Sequence, residues 1–206
     1  MKEQPVVNVI VAGVGGQGSI LTSHLLAEAA LKDGMGVQLA ETFGAATRGG
    51  SVYAHVRLGE AWAPTIREDG ADVVVSLEPV EGLRVANTYL KPGGWALLNT
   101  RPWYPVDVTV GRAKYPALKA VEDAIRRLDG RVICLDATRL ALRVGDSRAA
   151  NSVILGGLFA LSILNITEES LFQAMEERWS EKLVKTNQEA YRLGYAEVKL
   201  SMEAAA

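Results

Sequence analysis

A glycine-rich turn between an apolar run and a helix-forming segment constrains the fold of this chain most strongly. The stretch "VAGVGGQGS" places Gly13, Gly15 and Gly18 in a G-x-G-x-x-G pattern, with Gly16 and Gln17 inside it. In such a pattern the first glycine permits a tight turn, the second lets a phosphate approach the backbone, and the third lets the helix pack closely on the sheet. The stretch therefore predicts a strand, a turn and a helix within an α/β fold.

The sequence on both sides of the turn supplies the context that this pattern requires. Residues 6–13 are a β-branched run that predicts a buried strand, and residues 19–34 carry apolar side chains at helical spacing up to Gly34. Glu41 ends a second short strand about 20 residues further on, where a dinucleotide-binding fold places the acid that binds ribose. Amides at the helix start would point at an anion. A dinucleotide-binding loop and a purely structural glycine turn both remain open on this evidence.

The rest of the chain continues the alternation of strands and helices. Further strands are predicted at 51–59, 71–79, 95–100 and 131–137, and further helices at 80–90, 117–130, 151–165, 167–179 and 181–195. Several strands are apolar throughout, which predicts an α/β, Rossmann-like fold with a mostly parallel sheet and helices on both faces. The strand 51–59 alternates between apolar and polar residues, so we expect an edge or antiparallel strand. A length of 206 residues predicts a single domain over 1–206.

Composition excludes several functional classes. The net charge of −2 gives no electrostatic case for binding nucleic acid or an acidic membrane surface. The single cysteine, Cys134, excludes an internal disulfide framework and a cluster held by four cysteines, and it suits a reducing cytoplasm. The apolar run near the N-terminus is too short for a signal peptide, and no apolar stretch is long enough to span a membrane. Zinc-site, Walker and nucleophile-elbow spacings are absent.

Candidate catalytic side chains are few. His24 lies in the first predicted helix, where a packed or surface role is expected, and His55 lies on the polar face of strand 51–59, which we interpret as a solvated face. Asp146 in "VGDS" would suggest a magnesium motif for thiamine diphosphate, but the asparagine pair expected downstream is missing, so we interpret it as a turn. We therefore predict no catalytic residue and no metal ligand in this chain. A free-standing Rossmann NAD-dependent enzyme and a coenzyme A or nucleotide-binding module stay open as alternatives.

Three stretches together resemble a known family. They are "GVGGQG" at 13–18, "ETFGAATRGGSVYAHVRLGE" at 41–60 and "DVVVSLEPVEGLRVANTYLKPGG" at 72–94, and the likeness extends through 151–158 and 185–195. The chain resembles the small, gamma-type subunit of 2-oxoacid:ferredoxin oxidoreductases (the pyruvate/ketoisovalerate gamma type), and most of all the corresponding subunit of the indolepyruvate branch. The likeness covers nearly the whole chain.

The resemblance implies a role within a complex. Such complexes cleave a 2-oxoacid on thiamine diphosphate with Mg²⁺, pass electrons through iron–sulfur clusters to ferredoxin, and yield an acyl-coenzyme A. The small subunit carries neither the thiamine diphosphate nor the clusters, which belong to its catalytic partner subunits, and coenzyme A is the one ligand it is expected to help hold. The resemblance thus implies a cytoplasmic chain that is inactive by itself.

The binding residues implied by the resemblance lie in two loops. For the first loop we expect contact with coenzyme A or with a partner subunit through Gly13, Gly15, Gly16, Gln17 and Gly18. In the second, Arg48 would clamp a phosphate or a partner's carboxylate, and Gly49 and Gly50 would permit a close backbone approach. A solvent-exposed Arg48 before a hairpin is the alternative. The segment "RPWYP" at 101–105 predicts a proline-stiffened surface loop or a subunit contact, with the lining of a channel for a bulky aryl acid as the alternative.

Overall fold

A six-stranded sheet forms the centre of the molecule in the computed structural model, which describes residues 5–43 and 49–204. Its strands are β1 (Val7–Val14), β2 (Val37–Phe43), β3 (Ser51–Leu58), β4 (Ala71–Ser76), β5 (Leu90–Asn99) and β6 (Arg131–Leu135). Their order across the sheet is β2-β3-β1-β4-β5-β6. Only β3 runs against its neighbours β1 and β2, whereas β1, β4, β5 and β6 pair in parallel. The predicted mostly parallel sheet is confirmed.

Helices cover both faces of this sheet, as predicted. They are α1 (Ser19–Lys32), α2 (Pro79–Tyr89), α3 (Val106–Thr109), α4 (Leu118–Arg127), α5 (Ala137–Arg143), α6 (Ala150–Ala160), α7 (Glu168–Arg178) and α8 (Glu181–Glu203). The core on one face joins α1 and α5–α8, and the core on the other face joins α2 and α4. Within the described ranges, no helix is both long enough and apolar enough to cross a lipid bilayer.

Strand β3 lies inside the sheet, not at its edge. The predicted antiparallel direction is confirmed, but β2 takes the edge and β3 separates it from β1. The expectation of a solvated face around His55 is wrong, because this side chain is only 3% exposed. Its Nδ1 accepts a hydrogen bond from the Ile66 amide at 3.2 Å, and Tyr89 meets its ring edge-on. Burial, together with the nearby Arg57 charge, lowers the pKa of His55, so this histidine is a neutral core residue.

Several elements differ from the sequence-based prediction, and α8, for example, continues to Glu203, beyond the predicted end at 195. Strand β5 begins at Leu90, ahead of the predicted 95, because Leu90 already pairs with Ala71 before the register shifts. Helix α6 ends at Ala160, ahead of the predicted 165, and Ser162 beyond it has a positive φ of 55°. Helix α5, which the sequence did not predict, is seven residues long and starts at the Asp136 cap. A helix as short as α5 carries too little periodicity to predict.

The carboxylate of Asp33 joins the end of α1 to the start of α7. It accepts hydrogen bonds from the Thr167 amide at 2.6 Å, the Thr167 hydroxyl at 2.9 Å and the Ser170 hydroxyl at 2.5 Å. Desolvation raises the pKa of Asp33, but the bonds from Ser170 and Thr167 together outweigh it, so the pKa lies below its usual value. A lowered carboxyl pKa adds stability above the unfolded-state pKa, and this stability is lost as the pH falls through the native pKa.

We expect the variant Asp33→Ala to lose about 1.5 kcal/mol of unfolding free energy at pH 7, the lower end for hydrogen bonds to a charged group, because the site is partly exposed. Urea denaturation between pH 7 and pH 2 measures this. Asp33→Asn is the matched control, because it keeps one acceptor and cannot titrate. The stability difference between the wild type and Asp33→Asn should shrink as the pH falls below 4. A difference that stays constant over this range would contradict the assignment.

Candidate functional site

The glycine loop joins β1 to α1 with two left-handed residues. Gly16 has φ 101° and Gly18 has φ 89°, and Gly18 is the N-cap of α1. The helix therefore starts without a side-chain cap, and its first turn contains no acidic residue. The Thr22 amide, which donates to Gly18 O at 3.0 Å, begins the helical hydrogen bonding. The amides before it are oriented along the helix axis, as at the anion-binding helix starts of other proteins.

The side chain of Gln17 folds back under the loop. Its Oε1 accepts from the Val14 amide at 2.8 Å, and its Nε2 donates to the Leu77 carbonyl at 3.3 Å. A Cβ on Gly13 would lie 3.0 Å from that same Oε1, so the absence of a side chain there makes room for the glutamine. Gln17 thus fastens the turn to β1 and to the end of β4. The glutamine inside the glycine run therefore has a structural role that does not depend on what the loop binds.

The second glycine pair lies directly beside the first loop. The Gly15 amide donates to Gly50 O at 2.8 Å, and the Gly49 amide donates to Gly15 O at 3.3 Å. The structure therefore brings together the two loops that we singled out from the sequence. Because the Gly15 amide is engaged with Gly50, an anion at this loop would depend on Gly16 and the first turn of α1. Arg48 lies outside the described residues.

A cleft of about 520 Å³ opens at the carboxyl ends of β1, β4 and β5. Helix α1 after β1 and helix α2 after β4 cover opposite faces of the sheet, which makes this the switch point where parallel α/β sheets bind ligands. Its lining includes Gly16, Gln17, Gly18, Asn99, Arg101, Trp103, Asp146, Arg148, Asn151 and Trp179. Gly13, Gly15, Gly49 and Gly50 do not line the cleft.

The cleft combines positive charge with flat aromatic side chains. Arg148 is bound to Asp146 through Nε at 3.0 Å and Nη2 at 2.8 Å, and these bonds from Arg148 lower the pKa of the Asp146 carboxyl. Asp146 also accepts from the Arg148 amide at 2.9 Å, which is the turn that the sequence predicted. Arg101 is exposed at the rim, and Trp103 and Trp179 lie on the walls. These groups suit a phosphorylated ligand with an aromatic base.

Glu41 does not reach this cleft as a ribose-binding acid would. Dinucleotide-binding folds place the strand with that acid directly beside β1, but here β3 occupies the place and β2 lies beyond it. The Glu41 carboxylate instead pairs with His24 Nε2 at 2.6 Å across α1 and β2. The sequence spacing of Glu41 matches the fingerprint, but its position in the sheet opposes an NAD site.

Sequence reasoning missed two buried asparagines that shape the cleft. Asn99 at the end of β5 donates to the Leu77 carbonyl at 3.2 Å and accepts from the Ala137 amide at 3.1 Å. Asn151, 8% exposed, approaches the loop so closely that a Cβ on Gly18 would lie 2.2 Å from its Nδ2. The available signal for Asn99 was a polar residue ending an apolar strand. Asn151 gave no such signal, because its partner is 133 positions away in the chain.

Comparisons of the sequence with known proteins all point to one family. The sequence profile of the family "Pyruvate ferredoxin/flavodoxin oxidoreductase" matches residues 8–197. Indolepyruvate oxidoreductase subunit IorB of Archaeoglobus fulgidus is 43% identical over 188 residues, covering 91% of this chain and 93% of the relative.

Solved structures share the fold. The crystal structure of pyruvate oxidoreductase subunit PORC from Thermotoga maritima matches with a TM-score of 0.72 at 24% identity, over 94% of this chain and 97% of that one. A 2-oxoglutarate:ferredoxin oxidoreductase from Magnetococcus marinus, solved with 2-oxoglutarate, coenzyme A and succinyl-CoA bound, matches with a TM-score of 0.72 at 22% identity. The match covers 96% of this chain and 32% of the Magnetococcus chain.

Proposed function

Since the chain belongs to the pyruvate ferredoxin/flavodoxin oxidoreductase family, we propose that it is the non-catalytic small subunit of a 2-oxoacid:ferredoxin oxidoreductase. One observation carries the proposal. The 43% identity to an indolepyruvate oxidoreductase subunit extends over 91% of this chain and 93% of the relative, so the likeness is not confined to the glycine loop. On the same ground, the 2-oxoacid is indolepyruvate or another aryl pyruvate, and the product is its acyl-coenzyme A.

The redox groups of the complex belong to partner subunits in this proposal. One cysteine cannot supply the four thiolates of an iron–sulfur cluster, so the residues of this chain do not fit that group. In the part of the chain that the structure describes, no three His, Cys, Asp or Glu side chains meet as a metal site. Thiamine diphosphate with its Mg²⁺, the clusters and the contact with ferredoxin are therefore assigned to the catalytic partners. The proposed location of the whole complex is the cytoplasm.

We assign the cleft beside the glycine loop to coenzyme A. Contact of the loop with a partner subunit is the alternative. The residues fit the ligand, because the amides at Gly16 and the start of α1 suit a phosphate, Arg101 adds a cation at the rim, and Trp179 offers a flat surface to a base. Binding and orientation are the contributions of this chain, and the reacting groups come from elsewhere. Arg48 remains a predicted anion clamp on the evidence of the sequence alone.

Co-purification of the tagged chain from its native cell, followed by mass spectrometry and assays, tests this function. We expect stoichiometric recovery of a subunit with four-cysteine cluster motifs and a thiamine-binding motif, and reduction of ferredoxin by the recovered complex with an aryl pyruvate and coenzyme A. The isolated chain should show no turnover. Calorimetry on the complex separates the ligands, with coenzyme A binding expected and NAD binding absent. A homodimer that binds NAD at micromolar concentration, and loses it in Glu41→Ala, would instead support the NAD-dependent enzyme.

A further inference from the structure

An exposed segment with large apolar side chains begins at the mouth of the cleft. Four large side chains within an eight-residue segment are exposed, namely Trp103 at 51%, Tyr104 at 56%, Val106 at 76% and Val110 at 56%. We call these four residues the aromatic platform. Val106 and Val110 are one helical turn apart at α3, so they lie on the same side of the segment. Contiguous exposed apolar side chains with a polar rim mark interaction surfaces.

Glu78 anchors the start of the platform segment through hydrogen bonds. This buried carboxylate is 1% exposed and caps α2 by accepting from the Glu81 amide at 2.8 Å. Its other oxygen accepts from the Tyr115 hydroxyl and from the Trp103 amide at 3.4 Å. Tyr115 in turn packs edge-on against Tyr104, with ring centroids 5.2 Å apart. The apolar side chains are thus presented from an ordered base, which lowers the entropy lost on binding a partner.

The charge around the platform identifies the kind of partner. Segment 101–114 contains Arg101, Arg112 and Lys114 against one acid, Asp107, although the whole chain has a net charge of −2. A second copy of this chain would bring the same three cations face to face in a two-fold dimer, which is unfavourable. A different chain with an apolar patch edged by carboxylates complements the platform. Trp, Tyr and Arg are also the residues that contribute most often to protein–protein affinity.

The platform is continuous with the cleft. Arg101 and Trp103 line the cleft, and Trp103 also belongs to the platform. A protein bound to the platform would therefore cover one side of the cleft mouth. We infer that the aromatic platform is the docking surface for the catalytic, cluster-bearing subunit, which meets it with an acid-edged apolar patch. This inference rests on the proposed function, and it adds which face of the small subunit meets its partner.

Variants of the platform, purified as the full complex, test the inference. Val106→Asp places a charge at the most exposed platform position, and Trp103→Ala removes the largest side chain. Each should weaken the recovery of the catalytic subunit at least about tenfold, the effect of losing one strong interface contact. Trp62→Ala is the matched control, because Trp62 is fully exposed and follows β3 at the opposite end of the sheet. It should assemble like the wild type.

A charge variant gives an independent measurement. Arg112→Glu combined with Lys114→Glu should slow association and make it less sensitive to salt, as expected when cations attract an acidic surface.

All variants should melt within about 2 °C of the wild type, because surface substitutions seldom change stability. If the wild type recovers no cluster-bearing subunit, the proposed function fails. If the wild type recovers the cluster-bearing subunit, and the folded Val106→Asp and Trp103→Ala chains recover the same amount of it, only the docking inference is overturned. Self-association of the isolated chain that is lost in Val106→Asp would also overturn it.

Discussion

Replacing Gly194 with alanine is expected to lower the free energy of unfolding by about 3 kcal/mol, near the top of the usual range for overpacking. A Cβ at this position in α8 would lie 1.9 Å from the Val153 carbonyl oxygen of α6. The approach is reciprocal, because a Cβ on Gly156 of α6 would lie 1.9 Å from the Tyr191 carbonyl oxygen of α8. Both obstacles are backbone atoms, so only a separation of the two helices could make room.

The measurement is urea denaturation of the isolated chain at neutral pH. Gly157→Ala, on the facing helix α6, is the matched control, because the three atoms nearest to its Cβ would all belong to side chains, the nearest being Val198 Cγ2 at 3.0 Å. Side-chain atoms at 3.0–3.3 Å need to move only slightly, and alanine gains about 1 kcal/mol of helix propensity over glycine, so we expect this variant to stay within about 1 kcal/mol of the wild type. Equal losses in Gly194→Ala and Gly157→Ala would refute the close helix crossing.

The substitution Gly18→Ala should destabilise the chain by about 3 kcal/mol through two separable effects. The first is backbone strain, since an L residue would have to adopt φ 89° at the N-cap of α1. The second is a collision, because the new Cβ would lie 2.2 Å from Asn151 Nδ2. The displaced Asn151 lines the cleft, so coenzyme A binding by the complex should weaken as well.

Gly16→Ala separates the two effects. Gly16 has φ 101°, but no atom lies within 4 Å of a Cβ built there, so this variant should carry strain alone and cost about 1–2 kcal/mol. In the double variant Gly18→Ala with Asn151→Ala, the collision is removed, and a double-mutant cycle from urea denaturation should show a favourable coupling of about 1 kcal/mol. A zero coupling would mean that Asn151 does not restrict position 18.

Much of this architecture could be predicted from the sequence because the decisive signals are local. The β-branched run ahead of Gly13, the helical spacing after Gly18 and the capping Thr167 each act within a few residues, and they gave β1, α1 and α7. Alternation in 51–59 indicated an edge or antiparallel strand, and of these two the antiparallel direction is confirmed. The family could be recognised because the resemblance extends over most of the chain.

The arrangement of the site depended on contacts between distant segments. Residue spacing made Glu41 a candidate ribose acid in the alternative of an NAD-dependent enzyme. Strand order, however, is a property of the whole sheet, and β3 takes the place beside β1. The polar side of β3 was interpreted as solvated, because its sequence does not reveal that Tyr89 and Ile66 cover His55. The position of the platform likewise depends on a contact between distant segments, because the Trp103 amide donates a hydrogen bond to Glu78.

The sequence by itself determined a strand–turn–helix unit, a mostly parallel α/β sheet and a family, since these follow from short-range periodicity, turn chemistry and overall likeness. Only the tertiary structure decided that Gln17 fastens the loop, that Gly49 and Gly50 lie against Gly15, and that Asn151 closes on Gly18. The physical reason is that each of these contacts depends on which strands and helices become neighbours, and that choice is made by packing the whole core at once.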